Sequence, residues 1–241
     1  MDSPCATFCY RKNKPNTTNS ICKTKTIKLI FFDMDGVLTD TYSSWKYIHD
    51  HFKTSNERSV DAYLKGTIDD QEFIRRDVSL WKEHGKHTKK ETLQNILSEI
   101  PLMHGSKQCL AFLHKHHIQT AIVSAGLDIL AEKVAADLNI PYVFANGVCQ
   151  DEDGILTGDG IVNVQLKHKE KNVQQLAQQL DIPLEQCVAV GNSCFDISMF
   201  ETCGFSIAFN PDDACVRDAA DAVVEGKDLR RILQVLRPLL A

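Results

Sequence analysis

The chain has 241 residues, 43% of them apolar and 24% charged, with a net charge of −5. That length accommodates one ordinary domain with an insert, or two small domains, and the composition excludes a disordered or fibrous protein. The acidic balance gives no reason to expect nucleic acid as a partner, and no apolar run approaches a membrane span.

Residues 1–26 are basic and rich in Ser, Thr, Asn and Pro. Such a segment cannot bury enough apolar surface to order itself, so a flexible tail is expected in preference to a transit peptide. From Ile27 the pattern changes. Ile27–Phe32 is nearly all apolar, as a central parallel strand should be. Residues 41–101 then carry four helical stretches, over about 44–53, 57–65, 69–84 and 88–99. Beyond them strands and helices alternate. Strands are predicted at Thr120–Val123, Tyr142–Phe144, Cys187–Val190, Phe205–Phe209 and Ala222–Val224. Helices are predicted at Ser106–His116, Leu127–Leu138, Lys169–Leu180, Asp196–Thr202, Asp212–Ala219 and Asp228–Leu236. Alternation of this kind indicates βαβ crossovers. The fold class is therefore α/β, a Rossmann-like parallel sheet flanked by helices, with a small helical cap inserted after the first strand. The expected division is a tail over 1–26, a core over 27–40 and 102–241, and a cap over 41–101. Asn146–Gln165, with its Asp151-Glu-Asp-Gly154 turn, is expected as a hairpin on the sheet edge.

Chemistry concentrates where strands end. Asp33-Met34-Asp35-Gly36-Val37-Leu38-Thr39-Asp40 follows the first strand directly and puts two carboxylates on the rim of the sheet. Gly36 lets the backbone turn sharply toward an anion. A calcium loop would need a carboxylate at its twelfth position, where this chain has Ser44. Ser124-Ala125-Gly126 follows the second core strand. Its serine is expected to cap the next helix, whose amides would hold phosphate oxygens. Lys169 opens the helix before Cys187–Val190, with Lys167 and Lys171 as competing candidates in the same basic run. Gly191-Asn192-Ser193-Cys194-Phe195-Asp196 follows that strand.

In order and position these four segments resemble the four motifs of the haloacid dehalogenase superfamily. The similarity to its phosphoserine phosphatases runs from about Ile27 to Leu236. It takes in Phe144-Ala-Asn146, Asp196-Ile-Ser-Met-Phe200 and Lys227-Asp-Leu229. The resemblance implies a phosphatase in which Asp33 attacks phosphorus, Asp35 is the general acid and base, and Ser124, Ala125, Gly126 and Lys169 bind the phosphoryl group. It implies Mg2+ held by the Asp33 carboxylate, the Asp35 main-chain carbonyl and the first acid of the fourth motif. The family usually has aspartate there, whereas this chain has Asn192. Asp196 is expected to compensate, directly or through a water. Either an active phosphatase or a weakened, phosphate-binding regulatory homologue follows.

The resemblance also implies a glutamate and an arginine in the cap to hold phosphoserine. Tyr42 and Asp77 stand at about those places, with Arg75 and Arg76 nearby. The substrate class is then a small phosphomonoester, and the family's link to serine biosynthesis stays a lead. Ser43-Ser44-Trp45 fits either a pocket lining or a helix cap followed by a core tryptophan. His114, His116 and His117 suit a helix C-terminus and have no matching zinc ligands in view. The nine cysteines are scattered without CxxC pairs and no signal peptide is recognised. Reduced thiols in a cytoplasmic monomer or homodimer, with no membrane or nucleic-acid partner, are expected.

Overall fold

In chain order the strands are β1 Leu29–Phe32, β2 Lys82–Glu83, β3 Lys86–His87, β4 Gln119–Leu127, β5 Tyr142–Gln150, β6 Leu156–Ile161, β7 Cys187–Gly191, β8 Phe205–Phe209 and β9 Ala222–Val224. They come from a computed structural model that describes residues 26–211 and 213–240. The tail expected over 1–26 lies, but for its last residue, outside the described residues. Seven of these strands form one sheet in the order β6-β5-β4-β1-β7-β8-β9, parallel throughout except for the β5–β6 pair. β1 is central and wholly buried, as its unbroken apolar run requires. Its side chains alternate between two cores. Ile30 and Phe32 join Leu110, Leu130, Val134 and Ile232 on one face, while Leu29 and Phe31 join Val173, Leu176, Ile197 and Val216 on the other.

The chain leaves β1 toward β4 on one side and later toward β7 on the other. The carboxyl end of β1 therefore lies at the point where strand order reverses, which is where open α/β sheets bind ligands. The edge hairpin forms as expected from β5 and β6. Asp151 Oδ1 accepts the amides of Asp153 and Ile155 and so fixes its turn.

Between β1 and β4 stand five helices: α1 Ser44–Phe52, α2 Glu57–Leu64, α3 Asp70–Leu80 and α4 Lys90–Ser98 within the inserted block, then α5 Ser106–Lys115. Ser43 caps α1 by accepting the Lys46 amide, and Asp69 caps α3 by accepting the Glu72 amide at 2.8 Å. The helix expected over 69–84 stops at Leu80. His84 and Gly85 both have positive φ, 50° and 79°, the geometry of a two-residue hairpin turn, and they join β2 to β3. Ile48, Ile74, Val78, Trp81, Leu93 and Ile96 of this block pack into the same core as Ile30 and Phe32. The Gln71 side chain donates to the Gly160 carbonyl and Asp70 accepts the Leu166 amide, both at 2.9 Å, so α3 is tied to the edge of the sheet.

Candidate active site

The loop after β1 is tightly specified. The Asp33 amide donates to the Val190 carbonyl at 2.9 Å, which continues the ladder one residue past the strand. The amides of Val37, Leu38 and Thr39 all converge on the Met34 carbonyl, and the Thr39 hydroxyl joins them. Gly36 has φ 78°, and a Cβ there would strike the Asn192 amide group. Only glycine lets this turn close against the loop after β7.

Within that turn Asp33 Oδ1 accepts the Met34 amide at 2.8 Å and lies 3.0 Å from Lys169 Nζ. Burial and the Asp196 charge raise the Asp33 pKa, against the opposing pull of Lys169. Asp35 is anchored on one side only. Its Oδ2 accepts both the amide and the hydroxyl of Ser44, each at 2.8 Å, while its buried Oδ1 has no hydrogen-bond partner. Burial raises the Asp35 pKa, and the two bonds from Ser44 act against that rise. A carboxyl raised by burial, with one oxygen fixed and the other open, is the form in which an acid can deliver a proton.

Lys169 is 2% exposed and is the lysine of its basic run that reaches this loop. Its ammonium donates to Asp196 Oδ1 at 2.7 Å as well as facing Asp33. Burial alone would lower its pKa, but Asp196 and Asp33 outweigh that and hold it above the ordinary lysine value. Lys167 turns away to the Tyr63 carbonyl and ring, and Lys171 to Gln165.

Two expectations change here. Asp196 was expected as a metal ligand, but its oxygens are committed elsewhere. Oδ1 takes Lys169, and Oδ2 takes the amides of Asn192 and Ser193 at 3.0 Å and the Ser193 hydroxyl at 3.2 Å. It closes a capping box at the turn after β7 and fixes the lysine. Ser124 was expected to cap a helix. Instead β4 continues through it to Leu127, and the helix α6, Asp128–Leu138, begins with no side-chain cap. Ser124 Oγ accepts the Gly126 amide at 3.2 Å, and the Leu127 amide goes to Ser44 Oγ at 3.1 Å. The Ala125 carbonyl accepts Trp45 Nε1 at 2.9 Å and Asn146 Nδ2 at 3.3 Å.

Asn192 sits at the end of β7, buried, with its Oδ1 lacking a hydrogen-bond partner. An unsatisfied amide oxygen beside Gly36 is a donor atom awaiting a ligand, and a cation fits it.

The cap positions are differently used. Tyr42 is 59% exposed. Asp77 is buried and accepts Asn56 Nδ2 at 2.7 Å, with His49 Nε2 at 3.3 Å but poorly aligned. His49 Nδ1 meets Thr54 Oγ1 at 2.8 Å and accepts Trp81 Nε1 at 3.3 Å, which puts the ring proton on Nε2, facing Asp77. Arg75 and Arg76 both pair with Glu72 at the surface. Ser44 is the residue whose importance the sequence hid. It is fully buried and joins the start of α1, the Asp35 carboxylate and the end of β4. Its neighbour Trp45 is half-buried, bonds Ala125 and packs on Trp81 with ring centroids 5.4 Å apart.

Residues 27–204 match the model of the haloacid dehalogenase-like hydrolases. The chain is 30% identical over 213 residues to the phosphoserine phosphatase of Methanocaldococcus jannaschii, covering 87% of this chain and 98% of the relative. It is 34% identical over 178 residues to that of Lactococcus lactis, covering 73% and 77%. Among solved structures, a phospho-aspartyl intermediate analogue of phosphoserine phosphatase superposes with TM-score 0.75 at 29% identity, covering 88% of this chain and 99% of that one. With two carboxylates and a buried lysine gathered at the switch point of such a sheet, and with relatives matched over nearly their whole length, the chain belongs to the haloacid dehalogenase-like hydrolases and is a phosphatase of the phosphoserine phosphatase-like kind.

Proposed function

We propose that the protein is a magnesium-dependent phosphomonoester hydrolase that works through an aspartyl-phosphate on Asp33. The observation that carries this reading is the pairing of Asp33 with the buried Lys169 at the end of the central strand, with the half-anchored Asp35 two residues on. In the first half-reaction an Asp33 oxygen bonds to phosphorus as the bond to the leaving oxygen breaks, and Asp35 gives that oxygen its proton. In the second, Asp35 takes a proton from water as the water oxygen displaces phosphate from Asp33, which restores both carboxyl groups. Lys169 holds positive charge against the transferring group throughout, while Ser124, Ala125 and Gly126 border it.

Mg2+ would be held by the Asp33 carboxylate, the Asp35 main-chain carbonyl and the Asn192 amide oxygen. The orphaned Asn192 Oδ1 supports that set. When bound, the ion supplies charge that offsets the phosphate oxygens. Asp196 enters as the residue that positions Lys169. The block over 41–101 acts as a cap on the core over 27–40 and 102–241, closing through Ser44 and Trp45.

The substrate is a small phosphorylated metabolite. The names of the relatives make phosphoserine the first to test, but Asp77 is spent inside the cap and Arg75 and Arg76 on Glu72, so none of them is offered to a substrate carboxylate. A reducing cytoplasmic setting is proposed from the scattered cysteines without CxxC pairs, with the protein a monomer or homodimer. Among the described residues no helix is long and apolar enough to cross a membrane. A second reading, a weakened phosphate-binding homologue, draws on the neutral Asn192 where the family carries an acid.

The test is hydrolysis of an aryl phosphate with and without magnesium. The native chain should turn over only with the metal, and Asp33→Asn should lose ~10⁴-fold or more while keeping its fold. Near-normal turnover by a folded Asp33→Asn protein would end the covalent reading. No turnover by the native chain at any magnesium level would favour the binding homologue.

A further inference from the structure

We propose that Cys194, Asp213 and Cys215 form a second metal site, for a thiophilic divalent cation of the zinc class, distinct from the magnesium ligands. Among the described residues these are the three metal-ligating side chains that converge. One ligand atom from each lies within 4.8 Å of the other two. Two sulfurs and a carboxylate oxygen are the donor set of zinc rather than of magnesium, which takes oxygen alone. The dimensions also fit. On a tetrahedral zinc two thiolates stand about 3.8 Å apart and a thiolate and a carboxylate oxygen about 3.5 Å, so closing the cluster needs shifts of about 1.3 Å at most.

The site is built into the fold. Cys194 lies in the turn after β7 and Asp213 in the loop after β8, with Cys215 in the short helix Ala214–Ala219 that the loop leads into. Since β7 and β8 are parallel neighbours, both turns emerge at the same edge of the sheet. Cys194 is fully buried and Asp213 is 3% exposed, so these are not solvated surface groups. No CxxC spacing announces the cluster because its ligands come from two turns far apart in sequence. Three protein ligands leave a fourth tetrahedral position for water, which makes the ion exchangeable. Bound there, it ties the turn carrying Asn192, Ser193 and Asp196 to the loop after β8, and so braces the capping box that positions Lys169.

The experiment uses the full chain, reduced, stripped of metal and held in saturating magnesium so that oxygen sites are filled. It is titrated with Co2+, whose bonds to thiolate give a near-ultraviolet charge-transfer band. One equivalent should bind with that band, and Zn2+ should bleach it. Cys215→Ser should lose most of the band, and Asp213→Asn should bind at least about tenfold more weakly. Far-ultraviolet dichroism and aryl phosphatase activity of both variants check that they fold. Absence of the band, a band that survives Cys215→Ser, or a Cys194–Cys215 disulfide in protein purified with reductant would overturn the proposal. The readout is spectroscopic, so it stands or falls separately from the phosphatase reading.

Discussion

At the site, three carboxylates, Asp33, Asp35 and Asp196, share one ammonium, Lys169, in a buried setting. A phosphate dianion entering that group meets net negative charge unless a further cation is present, which is the physical case for magnesium. Asn192 adds no charge to that imbalance and would give magnesium one fewer charge to bind. Asn192→Asp should therefore tighten magnesium at least about tenfold, lower the magnesium midpoint of activity, and lower the melting temperature of the metal-free protein. An unchanged midpoint in a magnesium titration would show that residue 192 does not hold the ion. Asp35 makes a linked prediction. Its folded pKa is raised above 3.8 by burial, so its favourable contribution to stability is full below that value and is lost as pH rises through the folded pKa. Metal-free Asp35→Asn should then melt higher than the native chain at neutral pH, with the gap closing on acidification. The same variant should lose about 10²–10⁴-fold on alkyl phosphates, whose leaving oxygen needs a proton, and less on aryl phosphates. Equal losses on the two classes, or a variant that melts lower at neutral pH, would remove Asp35 from the role of acid.

Helices α1 to α4 close over the sheet through bonds that a helical pattern does not reveal. Ser44, the first residue of α1, holds Asp35, and Trp45 holds the Ala125 carbonyl, so the arrangement of α1 and that of the Asp35 carboxylate are set together. The deeper part of α3 is organised around Asp77, His49, Asn56, Thr54 and Trp81. Removing Asp77 leaves Asn56 without its buried acceptor and the His49 ring without the carboxylate it faces. Asp77→Ala should cost about 2–4 kcal/mol in urea unfolding. Since Asp77 faces the cap interior and Arg75 and Arg76 face Glu72, phosphoserine should not outcompete other small phosphomonoesters in kcat/KM across a substrate panel. A clear phosphoserine preference would mean that some other group receives the substrate carboxylate.

Across the molecule, the parts legible in the sequence were those written in consecutive residues. The apolar run into Asp33-Met34-Asp35-Gly36 specified the central strand and its loop, and alternation of strands and helices specified a parallel sheet with the insert after β1. The turn Asp151–Gly154 marked the edge hairpin. What stayed hidden depended on distances between segments. Lys169 could be ranked above Lys167 and Lys171 by spacing, but the contacts that separate them are with Asp33, Tyr63 and Gln165. Asp196 was expected to compensate for the missing acid at Asn192, directly or through a water, whereas its oxygens meet the lysine, two amides and the Ser193 hydroxyl. The helix expected over 69–84 ends short of His84-Gly85, and the positive φ at both residues makes that pair a hairpin turn. The central claim is that phosphate passes through Asp33, and it is tested most directly by trapping the intermediate. Protein mixed with a phosphorus-labelled aryl phosphate and magnesium, then quenched in acid, should carry label on the peptide containing Asp33, and hydroxylamine should release it as an acyl phosphate. Asp33→Asn should carry none. Turnover by the native chain with no label on that peptide, or label that persists in Asp33→Asn, would contradict the account.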